Sequence, residues 1–160
     1  EMSVMKKMIL LMFIITVMSF ANQTGYEGYW MMPDGKFIIK IDKQSSGEYI
    51  GKVAWLKMKY YGKGDKEEGV EQHDRNNKNS DLKNRKVLGL QVVGELYEKN
   101  GNLKGGYVYD SWNGKMYYGS AKMDNENTLL LRGSFDKKGI FGLTQKAKRV
   151  TDPSAYGLKD

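Results

Sequence analysis

The chain of 160 residues contains no cysteine, only two prolines and a single histidine, His73. Without cysteine the protein forms no disulfide, and a zinc site of the usual kind lacks most of its ligands. His73 lies in a long polar segment, whereas a Ser-His-Asp or Cys-His site needs a histidine fixed beside the nucleophile. The stretch that follows it, residues 74–79 (DRNNKN), does not fit the calcium loop of an EF-hand. The sequence therefore predicts no catalytic residues, no metal site and no cofactor.

Long apolar runs are also missing, apart from one near the start. Residues 8–18 (MILLMFIITVM) are apolar, but a membrane-spanning helix needs about 20 such residues. Two lysines precede this run, and the small-x-small sequence SFA follows it, as in a signal peptide. We expect residues 1–21 to be cleaved near Ala21 and the protein to be periplasmic or secreted. A buried N-terminal helix and an uncleaved anchor are the alternatives.

The chain has little concentration of charge of one sign, although its formal net charge is +7. Lysines are interleaved with acidic residues along the sequence, which is typical of a solvated surface and not of a nucleic-acid site. Residues 22–160 are enough for one domain with a substantial core. We expect a single domain and no nucleic-acid partner, while the sequence leaves the oligomeric state open.

Short segments that alternate apolar and polar residues occupy most of the chain after residue 25. The clearest is a hairpin at residues 105–123 (GGYVYDSWNGKMYYGSAKM), in which Asn113 and Gly114 supply a tight turn. Eight such strands are predicted, and short turns join all but one consecutive pair. The exception is a polar loop at residues 58–86, a length typical of functional loops. The tail, residues 151–160, is expected to be loosely held.

An up-and-down series of eight twisted strands closes most simply into an antiparallel barrel, because closure removes both exposed edges. We therefore predict an all-β, eight-stranded barrel, with a two-sheet β-sandwich as the alternative. A barrel of this size either fills its interior with side chains or holds one small ligand.

Motifs spread over residues 28–150 resemble those of an exported bacterial family, domain of unknown function 2147. They are GYW and DG at 28–35, YIGKVAWL at 49–56, a polar loop pattern with Asp74, Asn79, Asp81, Leu82 and Arg85, LGL at 88–90, GYVYD and NGK at 106–115, and LRG and GLTQ at 131–145. Ser111 stands where the family usually has proline, and Ala147 where it usually has tryptophan. The resemblance implies a lipocalin-like barrel and export, and it implies no established activity.

The predicted inward face suggests a non-enzymatic protein that binds a small apolar or amphipathic ligand in its interior. The predicted lining consists of Phe37, Ile39, Tyr49, Val53, Trp55, Leu90, Val92, Tyr117, Leu129 and Leu131. At a strand end, Tyr109 and Asp110 are candidates for the pocket mouth, although capping the turn is the favoured role for Asp110. The alternative is an envelope protein with a filled barrel, whose basic loop at residues 57–66 binds anionic lipid or polymer.

One further pair is predicted to close the structure. Trp30 lies on the first strand and Arg149 on the last, an arrangement similar to that of lipocalin-type barrels. The first and last strands of a closed barrel are neighbours, so the guanidinium would lie over the indole ring.

Overall fold

A computed structural model describes residues 25–159, and eight β-strands form most of its regular structure. The strands are β1 Gly28–Met31, β2 Phe37–Lys43, β3 Tyr49–Leu56, β4 Gln91–Lys99, β5 Asn102–Asp110, β6 Lys115–Asn125, β7 Thr128–Ser134 and β8 Gly142–Arg149. Two short 3₁₀ helices lie at Ser80–Leu82 and Pro153–Tyr156. No helix in residues 25–159 has the length and apolar character needed to cross a membrane. The predicted signal peptide, residues 1–21, lies outside the described residues.

Each strand pairs antiparallel with the next, and β8 returns to β1, so the sheet closes into a barrel. The predicted eight-stranded up-and-down barrel is confirmed, and the sandwich alternative is excluded. The join between β1 and β8 is short and pairs Trp30 with Arg149 and Met31 with Lys148. The neighbouring β7–β8 pairing is much longer and continues up to Ser134 and Gly142.

The connections between strands alternate between the two ends of the barrel, because successive strands run in opposite directions. One end carries the turns at residues 32–36, 111–114 and 135–141 together with the long connection at residues 57–90. We call it the loop end. The opposite end carries the turns at residues 44–48, 100–101 and 126–127 and the start of the described chain. We call it the Arg149 end.

The barrel interior is packed with apolar side chains from all eight strands. Trp30, Leu103, Leu129 and Ala147 are completely buried there, and many of the largest interior side chains come from β2 and β3. Alternation along the strands explains the arrangement, since every second residue points to the same face. The interior therefore resembles the core of a small filled barrel.

A second, smaller apolar cluster lies on the outer face of β1–β3. It consists of Tyr29, Ile38 and Val150, with Trp55, Tyr156 and Leu158 packed against them. The prediction that Trp55 lines the interior needs correction here. Ile38 pairs with Trp55 but Ile39 pairs with Val53, so a β-bulge inserts one residue and turns Trp55 to the outer face.

The same cluster holds the C-terminal tail, which the sequence suggested was loosely attached. The rings of Trp55 and Tyr156 meet edge to face with centroids 5.1 Å apart. The Tyr29 hydroxyl donates a hydrogen bond of 2.7 Å to the carbonyl of Lys159. A tryptophan and a tyrosine on the outer face of the barrel wall thus give the tail a docking surface.

Glycine is required where β4 and β5 approach most closely. A Cβ atom placed on Gly106 would lie 2.0 Å from the backbone oxygen of Gly94, a distance that no side chain tolerates. In the same region Glu95 has a positive φ of 56°. The backbones of β4 and β5 are therefore in close contact at this point, next to Tyr107 on β5.

Candidate functional site

At the Arg149 end, the last strand contributes a guanidinium that covers the ring of Trp30. The distance from the Arg149 Cζ atom to the ring centroid is 4.2 Å. Arg149 also donates three hydrogen bonds to backbone carbonyls, at 2.7 Å to Glu126, 2.9 Å to Glu27 and 2.6 Å to Gly25. Burial lowers its pKa from the ordinary value. The structure thus brings the predicted pair together, and the donors of Arg149 are taken up by the backbone.

Tyr26 completes the closure of this end. Its ring is buried and meets the ring of Tyr49 edge to face at 5.7 Å. Its hydroxyl donates a 2.7 Å hydrogen bond to the carbonyl of Gly101, and its backbone oxygen accepts one of 2.9 Å from the Trp30 indole. Burial raises the pKa of Tyr26. The segment before β1 is therefore a plug across the barrel.

The loop end is built around a buried carboxylate, that of Asp74, whose side chain is fully inaccessible to solvent. Its Oδ1 accepts a hydrogen bond of 2.7 Å from the Tyr109 hydroxyl. Its Oδ2 accepts bonds of 2.7 Å from Asn77 and 2.8 Å from Arg85. A buried charge is costly unless it is paired and hydrogen-bonded, and Asp74 meets both conditions. This network fixes the long connection onto β5.

Tyr109 has an altered acidity as a result of this position. Burial, followed by its hydrogen bond to Asp74, raises the pKa of Tyr109 to about 12. Asn77 donates a further bond of 3.0 Å to the same hydroxyl oxygen. The phenol therefore stays protonated near neutral pH and acts as a hydrogen-bond donor to the carboxylate.

A pocket of about 390 Å³ adjoins this network, between the long connection and strands β4–β6. Its volume falls within the range of small-molecule sites, roughly 300–1,000 Å³. The lining combines cationic, amide, phenolic and apolar groups: Asn77, Lys78, Leu82, Arg85, Gln91, Tyr107, Tyr109, Gly114 and Met116. Such a lining fits a small organic molecule that has an anionic group and an apolar part.

The register shows on which side of the barrel wall this pocket lies. Tyr107 pairs with Gly94 and Tyr118, whereas the preceding pair in β4 joins Val93 to Val108. Val93 belongs to the interior core, so the next residues along each strand face outward. The pocket is therefore built against the outer face of β4–β6 and is covered by the long connection.

Contacts between the β5–β6 turn and the long connection hold this cover in place. The Asn76 side chain donates a 2.6 Å hydrogen bond to the carbonyl of Trp112, and the Trp112 indole donates one of 3.3 Å to Gln72. The ring of Trp112 lies 5.0 Å from that of Phe37, centroid to centroid. The turn thus links the cover to the loop end of β2.

Most of the predicted lining residues lie together in the interior, away from this pocket. Ile39, Tyr49, Val53, Leu90, Val92, Leu129 and Leu131 belong to the interior core and are at most 6 % exposed. Phe37 is partly buried against that core, and Tyr117 is half-buried with its ring 5.4 Å from Phe135. Whether a ligand enters this interior stays a prediction.

The two predicted mouth residues are separated in role. Tyr109 lines the pocket. Asp110 instead caps the β5–β6 turn, where its carboxylate accepts backbone bonds of 3.0 Å from Trp112 and 3.2 Å from Asn113. Sequence reasoning did not single out Asn77, Lys78, Gln91 or Tyr107 as site residues. Asp74 and Arg85 could have been found, because both belong to the polar loop motif of the family. Charged residues that form part of a family motif indicate a structural or functional role.

The outer part of the long connection contains its own ion pairs. Arg75 donates two hydrogen bonds to Asp65, at 2.7 and 2.8 Å, and one of 2.8 Å to Glu67. These contacts lower the pKa of both carboxyl groups. The His73 ring lies 3.3 Å from Glu67 through Nε2 and 2.6 Å from the carbonyl of Lys83 through Nδ1. Within residues 25–159, no group of three or more His, Asp or Glu side chains is placed to hold a metal ion.

Comparisons with known proteins agree with this architecture. The sequence profile described as "Uncharacterized protein conserved in bacteria (DUF2147)" matches residues 28–149. The fold is similar to that of protein HP1028 from Helicobacter pylori, described as belonging to the lipocalin family, with a TM-score of 0.70 and 23% sequence identity. That likeness covers 86% of this chain and 92% of the other. No curated protein matches the sequence.

Proposed function

Starting from the premise that this chain belongs to the DUF2147 family of uncharacterised bacterial proteins, we propose that it is a non-enzymatic binding protein for a small organic anion with an apolar part. The observation that carries the proposal is the pocket beneath the long connection, whose lining includes the cations Lys78 and Arg85 and the apolar groups of Leu82 and Met116. The lipocalin-like fold supports ligand binding in general.

The positive side of the pocket is accessible to a ligand. Arg85 gives one nitrogen to Asp74, yet 43% of its side chain remains exposed. Lys78 stands beside it in the lining. Since Asp74 also orients Tyr109, the wall is held in place before any ligand arrives, which reduces the ordering cost of binding. A carboxylate or phosphate on the ligand is the natural partner for these cations.

Matched eight-carbon probes test the charge requirement directly. Octanoate, octanol and octylamine have the same apolar part, and their affinities can be measured by titration calorimetry with the purified protein. We expect octanoate to bind about tenfold or more tightly than octanol, because the alcohol loses one charge-assisted contact. We expect no detectable binding of octylamine. Equal affinities for all three probes, or no binding of any, would contradict the proposal.

Variants of the pocket assign that binding to its residues. Lys78→Ala removes a cation from the lining and is expected to weaken octanoate binding, while the exposed Lys66→Ala, elsewhere in the same connection, serves as the matched control. Met116→Ser tests the apolar side, because Met116 is 64% exposed and its replacement leaves the core intact. Binding that is unchanged in both Lys78→Ala and Met116→Ser would place the ligand elsewhere.

The interior remains the alternative location for an apolar ligand, as the sequence predicted. A brominated carboxylate distinguishes the two sites, since bromine quenches nearby tryptophan fluorescence. A ligand in the pocket should quench Trp112, and the quenching should disappear in Trp112→Phe. A ligand in the interior should quench Trp30, which is completely buried there.

Envelope binding through the basic loop at residues 57–66 is a less favoured proposal. In that region Lys59 pairs with Glu71 at 3.5 Å, and the nearby Arg75 is bound by Asp65 and Glu67. The loop therefore neutralises part of its own charge.

We also propose that the protein acts in the periplasm or outside the cell, and the support for this is the signal-peptide pattern of residues 1–21. Detection of a mature chain beginning near residue 22 in a periplasmic or secreted fraction tests it.

A further inference from the structure

The hairpin between β7 and β8 displays an unusual amount of apolar surface at its tip. Phe135, Ile140, Phe141 and Leu143 are 73, 64, 70 and 80% exposed. We call these four residues the hairpin tip. Single exposed apolar residues are common, but a contiguous group of large ones usually marks an interaction site. Neither the pocket nor the closure of the barrel uses them.

Hydrogen bonds from polar side chains fix the backbone of the turn that carries these apolar residues. The Asp136 carboxylate accepts backbone hydrogen bonds of 3.0 Å from Ile140 and 2.6 Å from Phe141. Arg132 donates bonds of 2.8 Å to the carbonyl of Gly139 and 2.9 Å to that of Ile140. The exposed residues therefore belong to a turn in which several backbone polar groups have internal partners.

The pairing of the strands leaves one side of the tip uncovered. The Phe135 amide donates a 2.8 Å hydrogen bond to the carbonyl of Phe141, and Leu143 pairs with Gly133, which offers no side chain to cover it. The join between β1 and β8 lies toward the Arg149 end, at Trp30 and Met31, and does not reach the tip. The ring of Tyr117 meets that of Phe135 edge to face, with centroids 5.4 Å apart, and Phe135 remains 73% exposed.

The charge around the tip is positive. Lys137 and Lys138 occupy the turn itself, and both are exposed. The one acidic side chain between them and β7, Asp136, is directed to the backbone amides, and those donors lower its pKa. An approaching surface thus meets apolar side chains flanked by two free-standing ammonium groups.

We propose that the hairpin tip inserts into the surface of a bilayer that contains anionic phospholipid. Backbone groups that leave water need internal partners, and the turn provides them through Asp136 and Arg132. Apolar side chains then enter the boundary of the acyl chains while Lys137 and Lys138 stay with the phosphate groups. The positive charge around the tip favours an anionic lipid surface over a second copy of this chain, whose formal net charge is +7.

Vesicle co-sedimentation of the full chain without residues 1–21 tests this proposal. Vesicles of equal parts phosphatidylglycerol and phosphatidylcholine are compared with vesicles of phosphatidylcholine alone. We expect binding to the anionic vesicles and about tenfold weaker binding to the neutral ones. Phe141→Ser combined with Leu143→Ser should lower binding about tenfold or more, since the inserted apolar area is lost. Lys137→Gln with Lys138→Gln should lower it several-fold.

Matched controls distinguish the tip from other surfaces. Met58→Ser with Val70→Ser removes comparably exposed apolar residues from the long connection, and Lys63→Gln with Lys66→Gln removes two of its lysines. Both control variants should bind like the unmodified protein. Loss of binding in the lysine control with retention in the tip variants would overturn the proposal in favour of the loop at residues 57–66.

A fluorescence measurement locates the tip relative to the bilayer. In Phe141→Trp, emission should shift to shorter wavelength on vesicle addition and should be quenched by lipids brominated in the acyl chain. Absence of a shift, or of vesicle binding by the unmodified protein, would overturn the proposal. Concentration-dependent dimers that disappear in the Phe141→Ser, Leu143→Ser variant would also overturn it, because the tip would then bind a second copy of this chain. Circular dichroism confirms that each variant is folded.

Discussion

The two ends of the barrel each bind an arginine, but the partners of its hydrogen-bond donors differ between them. At the Arg149 end the guanidinium covers Trp30, and its hydrogen bonds go to backbone carbonyls. At the loop end Arg85 binds the buried carboxylate of Asp74, which also accepts a bond from Tyr109. Backbone carbonyls are neutral partners at fixed positions. A buried carboxylate is a second charge, and it is stable only while its own hydrogen-bond donors stay in place.

This difference separates a structural closure from a site. The donors of Arg149 are used internally, so the Arg149 end offers little to a ligand. Arg85 keeps much of its side chain exposed beside a pocket. The network that anchors it combines the carboxylate of Asp74 with the phenol of Tyr109 and the amide of Asn77. Substitutions at the Arg149 end should therefore change stability alone, and those at the loop end should change stability and binding together.

The largest expected effect is that of Trp30→Ala at the Arg149 end. The ring is completely buried and supports both Arg149 and Tyr26. Its removal leaves a large cavity and should lower the free energy of unfolding by about 3–5 kcal/mol. Urea unfolding followed by circular dichroism measures the change. A loss below about 1 kcal/mol would show that this end collapses around the missing ring.

Asp74→Ala should produce the next largest loss of stability and should also weaken ligand binding in the pocket. Arg85, Tyr109 and Asn77 would lose their common acceptor, and a buried charged network broken on one side costs about 2–4 kcal/mol. Octanoate binding should weaken in the same variant, in contrast to Trp30→Ala measured at a temperature where it is folded. Equal binding in the two variants would remove the distinction between the ends.

Arg149→Ala should lower the free energy of unfolding by about 1–3 kcal/mol, through the loss of charged hydrogen bonds and of the contact with Trp30. Arg149→Lys should restore little of it, because an ammonium group lacks the planar set of donors that reaches three carbonyls. Thermal unfolding of both variants provides the measurement. Full recovery in the lysine variant would indicate that charge alone matters at this end.

The raised pKa of Tyr109 predicts a dependence of stability on pH in the alkaline range. The group has a pKa near 10 when unfolded and about 12 when folded, so between these values the folded state binds the proton more strongly. Stability from this group is complete below pH 10 and is lost as pH rises toward 12, by about 2 kcal/mol at pH 12. Tyr109→Phe should remove this part of the pH dependence in urea titrations. A profile identical to that of the unmodified protein would contradict the assignment.

The smallest effect concerns Ser111, next to the loop-end turn. Its hydroxyl is buried, and among the described residues it has no hydrogen-bond partner. Ser111→Ala removes an unsatisfied polar group and should raise the free energy of unfolding, by up to about 1 kcal/mol. Differential scanning calorimetry detects a change of this size. A decrease in stability would mean that the hydroxyl has a partner, such as an ordered water molecule.

The fold could be predicted from the sequence because alternation and turn residues are local signals. The short turns around Asn100 and Asn113, for example, fix which strands are neighbours, and closure follows from their number. The placement of Trp55 could not be predicted, since one bulged residue reverses every later side chain in a strand and leaves the composition unchanged.

The candidate site was harder to predict for a different reason. Asp74 and Tyr109 are separated by 35 residues and lie in a loop and a strand, so no periodic pattern connects them. The interior lining followed from alternation, but the pocket depends on where the long connection folds over the outer face. That path is decided by tertiary contacts such as those of Asn76 and Gln72 with Trp112.

The short join between β1 and β8 has a consequence for the order of folding. Seven of the eight strand pairings connect neighbours in sequence, whereas this one unites segments that lie 122 residues apart at the Arg149–Glu27 hydrogen bond. Bringing such distant segments together costs more loop-closure entropy than forming any one hairpin, so we expect the meander of hairpins to form first and the barrel to close last. The join has few backbone pairs. The hydrogen bonds from Arg149 to the carbonyls of Gly25 and Glu27 therefore supply much of the contact that keeps the curled sheet closed as a barrel.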